Sequence, residues 1–113
     1  MLIKLYDAVE MNTDDTKSID VSERGDVNVV STNIMWEEVV TEESAPIDGV
    51  INIYSSNGLG PCLEKSILIE TDDNSTDTII HDITGPVREL IVEYLHNAIS
   101  GGNLSVNVIL RKQ

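Results

Sequence analysis

The chain has 113 residues, of which 20 are acidic and 7 are basic, so its formal charge is −13. Phosphate contacts need clustered lysine and arginine, and the only adjacent basic pair is Arg111-Lys112. We therefore expect binding neither to nucleic acid nor to an anionic membrane. A hydrophobic content of 41% is too high for a disordered chain, and the length predicts one domain over residues 1–113.

The single cysteine, Cys62, excludes an internal disulfide and a cysteine-based zinc site. We expect its side chain to act as a small buried or half-buried hydrophobe. Residues 1–7 lack the apolar core and cleavage site of a signal peptide, and no run approaches the roughly 20 apolar residues of a membrane span.

The first strands are predicted from short apolar patterns. Residues 1–6 are apolar and predict either an edge strand or an arm that docks on a neighbour, and polar turn formers at residues 12–16 end this segment. Alternation of apolar and polar residues over 18–22 predicts a half-buried strand. Arg24-Gly25-Asp26 predicts a turn.

The middle and end of the chain also have β patterns. The run Val50, Ile51, Ile53 and Tyr54 ends at Ser-Asn-Gly, a turn signal because asparagine and glycine tolerate positive φ. Strands are expected at residues 27–30, 34–40, 48–54, 67–70, 78–83 and 103–110, with a loop at 57–61 and a polar connection at 71–77.

Candidate metal and catalytic residues are few. Asp72, Asp73, Asn74 and Asp77 lack the alternate spacing, the glycine and the distal glutamate of a calcium loop. His81 and His96 lack metal-ligand spacing, and we expect surface or partly buried neutral imidazoles. No pairing of histidine with a nucleophile or carboxylate stands out, so the sequence predicts neither an enzyme nor a cofactor or metal site.

Residues 87–100 fit two patterns. Apolar residues at i, i+3, i+4, i+7, i+8 and i+11 from Val87 form one helical stripe, with Gly101-Gly102 as its end. A strand instead places Leu90, Val92 and Tyr94 on one face. Periodicity alone favours the helix.

Residues 34–112 carry a wider resemblance. A strand with Trp36 leads to Asp-Gly-Val-Ile-Asn-Ile-Tyr-Ser-Ser-Asn-Gly, followed later by Gly-Pro-Val-Arg-Glu-Leu-Ile-Val and Ser-Gly-Gly-Asn-Leu-Ser-Val-Asn-Val-Ile-Leu-Arg-Lys. This order resembles the small jelly-roll modules of tailed-phage virions, above all capsid decoration (cement) proteins and related tail domains. The resemblance favours a strand over residues 87–95. The chain departs from the family pattern in one respect, because no tryptophan follows Ser-Asn-Gly. The fold class it implies is mainly β, an antiparallel jelly-roll-like β-sandwich, with one short helix within 86–100 as the alternative.

The resemblance also implies a function by surface complementarity. Such a protein binds the major capsid protein or another virion protein as a homotrimer, on the outside of the shell, after synthesis in the host cytoplasm. Within residues 1–16, the N-terminal arm or edge strand is the expected contact. Its candidate partner-binding residues are Met1, Leu2, Ile3, Leu5 and Tyr6.

Two other functions fit the sequence. One is a tail or baseplate module of the same fold that touches host glycans. The other is an acidic inhibitor that blocks a basic nucleic-acid-binding partner, which uses the charge of −13 directly and predicts binding that falls steeply with salt.

Overall fold

Strands make up most of the part of the chain that the structure describes. A computed structural model describes residues 1–22, 27–41, 47–70 and 76–112. No α-helix occurs within these ranges. The strands are β1 (Leu2–Glu10), β2 (Asp15–Asp20), β3 (Val29–Thr41), β4 (Gly49–Ser56), β5 (Pro61–Ile69), β6 (Asp77–Thr84), β7 (Glu89–His96) and β8 (Ile99–Arg111).

The strands form two four-stranded sheets. The first sheet has the order β1-β8-β3-β6 and the second has the order β2-β7-β4-β5. Every neighbouring pair is antiparallel. Strands that follow each other in the first part of the chain alternate between the sheets, which is the eight-stranded jelly-roll arrangement. The predicted mainly β, antiparallel sandwich is confirmed.

The core lies between the two sheets and is built mostly of isoleucine, leucine and valine. In β7, Leu90, Val92 and Tyr94 are buried at alternate positions, as a strand with one face on a core requires. Trp36 of β3, in the first sheet, is also buried in this core. With few aromatic residues available, the aliphatic side chains of both sheets fill the space.

The region of residues 87–100 is therefore strand and not helix. The strand β7 ends at His96 and β8 begins at Ile99. The helical stripe was produced by Ile91 and Leu95, which alternate with the buried residues and lie on the outside of the sheet. Apolar side chains on both faces of a strand cannot be told from a helical pattern by periodicity alone.

Other boundaries also differ from the sequence predictions. The strand β1 extends to Glu10, beyond the predicted 1–6 segment, and β2 covers Asp15–Asp20 instead of the predicted 18–22. Separate strands were predicted over 27–30 and 34–40, whereas Val29–Thr41 form one strand, β3, because the polar residues at 31–33 alternate in orientation instead of turning the chain. The strand β5 begins at Pro61, where a loop was expected to end and only a later strand core was predicted. The strand β8 begins four residues before the predicted 103–110 segment.

Glycine is required where β8 passes the irregular end of β3. The register of the two strands shifts between Glu37 and Val40, and Glu38 has a φ of 53°. Opposite this bulge, Gly102 has a φ of 131°, and a Cβ atom there would lie 2.9 Å from the Val39 Cα atom. Only glycine accepts both the dihedral and the close approach.

Candidate partner-binding surface

The N-terminal segment lies in the sandwich as an edge strand. The strand β1 pairs with β8 along its length, through two irregularities of register. Met1 and Leu2 are exposed, whereas Ile3 and Leu5 are half-buried and pack against the core. Of the two sequence alternatives for this segment, the edge strand is the one that forms.

Tyr6 belongs to the core. Its side chain is 1% exposed, and its hydroxyl donates a hydrogen bond to the Val92 carbonyl of the second sheet at 3.1 Å. The Lys17 ammonium lies 4.7 Å from the centre of the ring, which is cation–π geometry. Burial, and then the charge of Asp15, raise the pKa of the Tyr6 hydroxyl. Partner binding by this segment stays a prediction, and Met1 and Leu2 are the side chains free to make it.

A second apolar surface covers the outside of the second sheet. We call it the Glu93 face and define it as the outward positions of β7, β4 and β5. The register aligns these positions in three rows. The rows are Leu95, Val50 and Leu68, then Glu93, Asn52 and Ser66, then Ile91, Tyr54 and Leu63.

The two apolar rows lie on either side of the polar row. Residues of the same face repeat roughly every 6.7 Å along a strand, so the apolar rows are about 13 Å apart with Glu93 midway. Leu63 is 54% exposed and Leu68 is 49% exposed. Singly exposed leucines are ordinary on a protein surface, but several exposed apolar side chains on one face, beside polar residues, are typical of a binding site.

The polar row holds one ordered carboxylate. The Asn52 side-chain amide and the Tyr54 hydroxyl both donate hydrogen bonds to Glu93 Oε1, each at 3.1 Å. All three side chains come from neighbouring strands that pair at these positions. The neutral donors fix the carboxylate in place without neutralising its charge.

Tyr54 is held in its protonated, donating form. Partial desolvation, and then its hydrogen bond and proximity to Glu93, raise the pKa of the Tyr54 hydroxyl above its ordinary value. The network therefore keeps its arrangement of donors and acceptor at neutral pH.

The β4–β5 hairpin extends beyond the core. Residues 61–66 are exposed on both faces of β5, and only Ile67 and Ile69 of this strand are buried. Leu59 near the hairpin tip is 94% exposed. A β-bulge places Glu64 as the extra residue of β5, where it accepts a hydrogen bond from the Ser55 hydroxyl at 2.5 Å.

The outer face of the first sheet has a different composition. Asn33 lies between Asn107 and Ile80 across three paired strands, and Ser105 pairs with Met35 one row away. In these two rows side-chain amides and hydroxyls separate the apolar residues, whereas Leu2 pairs with Ile109 at the β1 edge. Ile80, at 65% exposed, lies on the edge strand β6 and has no apolar neighbour directly opposite it.

Other candidate sites are weaker. A cleft of about 220 Å³ is lined by Val29, Asp82, Thr84 and the adjacent bases Arg111 and Lys112. Asp82 lines the same cleft and accepts a hydrogen bond from the Ser31 hydroxyl. Acid and base thus lie together in one exposed cleft.

Several sequence predictions concern single residues. Cys62 is exposed on β5 and not buried as expected, because β5 extends past the core at this position. His81 and His96 are half-buried, and the His96 amide donates to Asp14. Among the described residues, no group of three or more His, Cys, Asp or Glu side chains could hold a metal ion. Asp72, Asp73 and Asn74, and the predicted turn at Arg24-Gly25-Asp26, lie outside the described residues.

Sequence reasoning did not identify the Glu93 face. Its apolar members are distributed over three strands, so no single run of the sequence shows them together. A signal was present in β4, where Val50, Asn52 and Tyr54 alternate with the strongly apolar Ile51 and Ile53. Such a strand has apolar side chains on both faces, whereas a sheet with one face in water usually has polar residues on that face.

Comparisons with known proteins identify the architecture. No protein-family model and no curated protein sequence matches the chain. The solved structure of the mitogen from Yersinia pseudotuberculosis is similar, with a TM-score of 0.56, 10% identity, and coverage of 100% of this chain and 88% of that one. The SPBc2 prophage-derived protein YomS is also similar, with a TM-score of 0.60, 10% identity, and coverage of 98% and 92%. At this identity the likeness establishes the fold alone.

The described residues include no helix that is long and apolar enough to span a membrane.

Proposed function

We propose that the chain is a structural protein of a tailed-phage particle that decorates the outside of the shell. Its partner is the major capsid protein or another virion protein. The observation that carries the proposal is the presence of two separate exposed apolar surfaces on one jelly-roll sandwich. One is formed by Met1 and Leu2 on the first sheet, and the other is the Glu93 face on the second. YomS, a prophage-derived protein, has a similar fold over nearly its whole length, which supports the proposal.

Two surfaces on one small protein suit a clamp between neighbouring subunits. Each contact alone is modest, and linking two contacts raises the overall affinity by about 10²- to 10⁴-fold without any new interaction. A homotrimer on a threefold position of the shell multiplies the contacts further. It also offers a way to cover the edge strand β6, because an unpaired strand edge is a liability in a monomer.

The tail or baseplate alternative with a glycan site has less support. Glycan sites usually present an exposed aromatic ring beside polar groups. Trp36, Tyr6 and Tyr94 are buried, and Tyr54 is half-buried with its hydroxyl on Glu93. The protein thus has little aromatic surface for stacking on a sugar.

The test uses the mass of the purified protein and its binding to shells. We expect light scattering after size exclusion to give a trimer, and co-sedimentation with shells assembled without this protein to persist at high salt. Apolar contacts tolerate salt, whereas exposed charge pairs are screened. Binding that is lost steeply as salt rises would instead support the acidic inhibitor, and a monomer that does not sediment with shells would contradict decoration.

A further inference from the structure

The Glu93 face combines apolar side chains with a fixed negative charge, and this combination defines the partner. We infer that the Glu93 face docks on a protein surface that inserts a lysine or arginine side chain between apolar residues. This inference rests on the proposed function in one respect, because it takes the partner to be another protein. It adds the surface that is used and the chemistry of the residue that occupies it.

Covering this face takes the Glu93 carboxylate out of water. Leu95 and Val50 lie on one side of it, and Ile91 and Tyr54 on the other. An ionised group that is buried against apolar surface is costly unless a charge of opposite sign accompanies it. The two hydrogen bonds from Asn52 and Tyr54 come from neutral donors, so they supply no positive charge to accompany the carboxylate. A partner cation supplies that charge.

The charge of the chain argues against a second copy as the occupant. Each copy has a formal charge of −13. Glu89 lies on the same outward face of β7 as Glu93. Two copies that meet through this face would bring like charges together, which is unfavourable, whereas a basic partner is attracted and oriented.

Strand addition at the edge of β5 is a different way to use this region, and the structure disfavours it. Pro61 cannot donate a backbone hydrogen bond, the bulge at Glu64 interrupts the ladder, and Lys65 adds a charge. These are the features with which natural sheets protect their edges from pairing. The edge is protected and the face is not, so docking through the face is the favoured mode.

The first test uses backbone amide NMR on the folded protein with three short peptides. They alternate leucine with lysine, serine with lysine, and leucine with glutamate. We expect the leucine–lysine peptide to shift the amides of Val50, Tyr54, Glu93 and Leu95 and to bind most tightly. The serine–lysine peptide lacks the apolar side chains, and the leucine–glutamate peptide lacks the positive charge. We therefore expect both to bind more weakly.

Matched variants separate this face from general charge attraction. Glu93→Gln and Glu37→Gln remove the same charge, from the second sheet and from the exposed end of β3 on the first sheet. We expect Glu93→Gln to weaken leucine–lysine binding at least about tenfold and Glu37→Gln to weaken it less than about twofold. Leu68→Ser and Ile80→Ser form the corresponding apolar pair, and only the first should weaken binding.

The contradicting results are distinct. Shifts spread over the acidic surface, or equal losses in Glu93→Gln and Glu37→Gln, would overturn the inference. With shells, Glu93→Lys should abolish co-sedimentation while Ile80→Ser retains it, and equal binding of both would also overturn it. If the peptide results hold and the unaltered protein does not sediment with shells, the docking face stands and the proposed phage function fails.

Discussion

The strands β1 and β5 have the same length and the same position in their sheets, yet they meet solvent differently. Each has nine residues and forms the edge of its sheet. The apolar residues of β1 are drawn into the core, with Tyr6 buried, whereas residues 61–66 of β5 lie outside it. An apolar run in the sequence is therefore a poor guide to exposed apolar surface.

The largest effect is expected where β1 enters the core. Tyr6→Ala removes a buried ring and its hydrogen bond to the Val92 carbonyl, so we expect a loss of about 3–5 kcal/mol in the free energy of unfolding. Leu63→Ala on β5 should change it by less than about 0.5 kcal/mol because the side chain is already exposed. Urea unfolding of both variants measures the difference.

Tyr6→Phe is the control that separates the ring from the hydroxyl. It keeps the ring and leaves the Val92 carbonyl without this partner, so a loss of about 1–3 kcal/mol is expected. Similar losses for Tyr6→Ala and Leu63→Ala would contradict the distinction between the two edges.

High pH should lower the free energy of unfolding through the buried tyrosines. Burial raises the pKa of Tyr6 and of Tyr94, with smaller contributions from Asp15 and Asp14 respectively. Above pH 10, the ordinary tyrosine pKa, the unfolded chain loses these protons and the folded chain keeps them. The free energy of unfolding therefore falls as pH rises, by up to about 1.4 kcal/mol per pH unit for each proton that differs.

Urea unfolding at a series of alkaline pH values measures this slope. In Tyr6→Phe one of the two protons is absent, so the slope should be shallower than in the unaltered protein. An unchanged slope would show that Tyr6 ionises as readily in the folded protein as in the unfolded chain.

The sequence predicted the sandwich but not the surface. Alternation of buried residues at Leu104, Val106, Val108 and Leu110 predicted the last strand, because only one of its faces meets the core. Residues 87–96 were ambiguous because Ile91 and Leu95 occupy outward positions and complete a helical stripe. These outward residues belong to the Glu93 face, so the pattern that obscured the secondary structure came from the candidate site.

The assembly of the Glu93 network could not be predicted from spacing. Glu93 follows Asn52 and Tyr54 by about forty positions, and they meet only because β7 pairs with β4 in one register. A shift of β7 by one residue would turn Glu93 towards the core and away from Asn52 and Tyr54. The register depends on the packing of both sheets, which is a property of the whole fold.

A smaller effect is expected at the contact between Lys17 and Tyr6. Lys17→Gln removes the cation over the ring, so we expect a loss of about 0.5–1 kcal/mol in the free energy of unfolding. Lys4→Gln removes the same charge from an exposed position of β1 and is the matched control. Equal losses in the two variants, measured by urea unfolding, would assign the effect to net charge and not to the ring.

The smallest expected effect is on the pKa of Tyr54, which lies on the Glu93 face. The pKa of its hydroxyl is raised by partial desolvation and by Glu93, so Glu93→Gln should lower it towards the ordinary value. A titration of the tyrosine ring carbons by NMR resolves Tyr54 from the two buried tyrosines. Glu37→Gln, with the same change in net charge on the other outer face, should leave the pKa of Tyr54 nearly unchanged. An equal decrease in both variants would mean that the net charge of the protein, and not the hydrogen bond to Glu93, holds the phenol protonated.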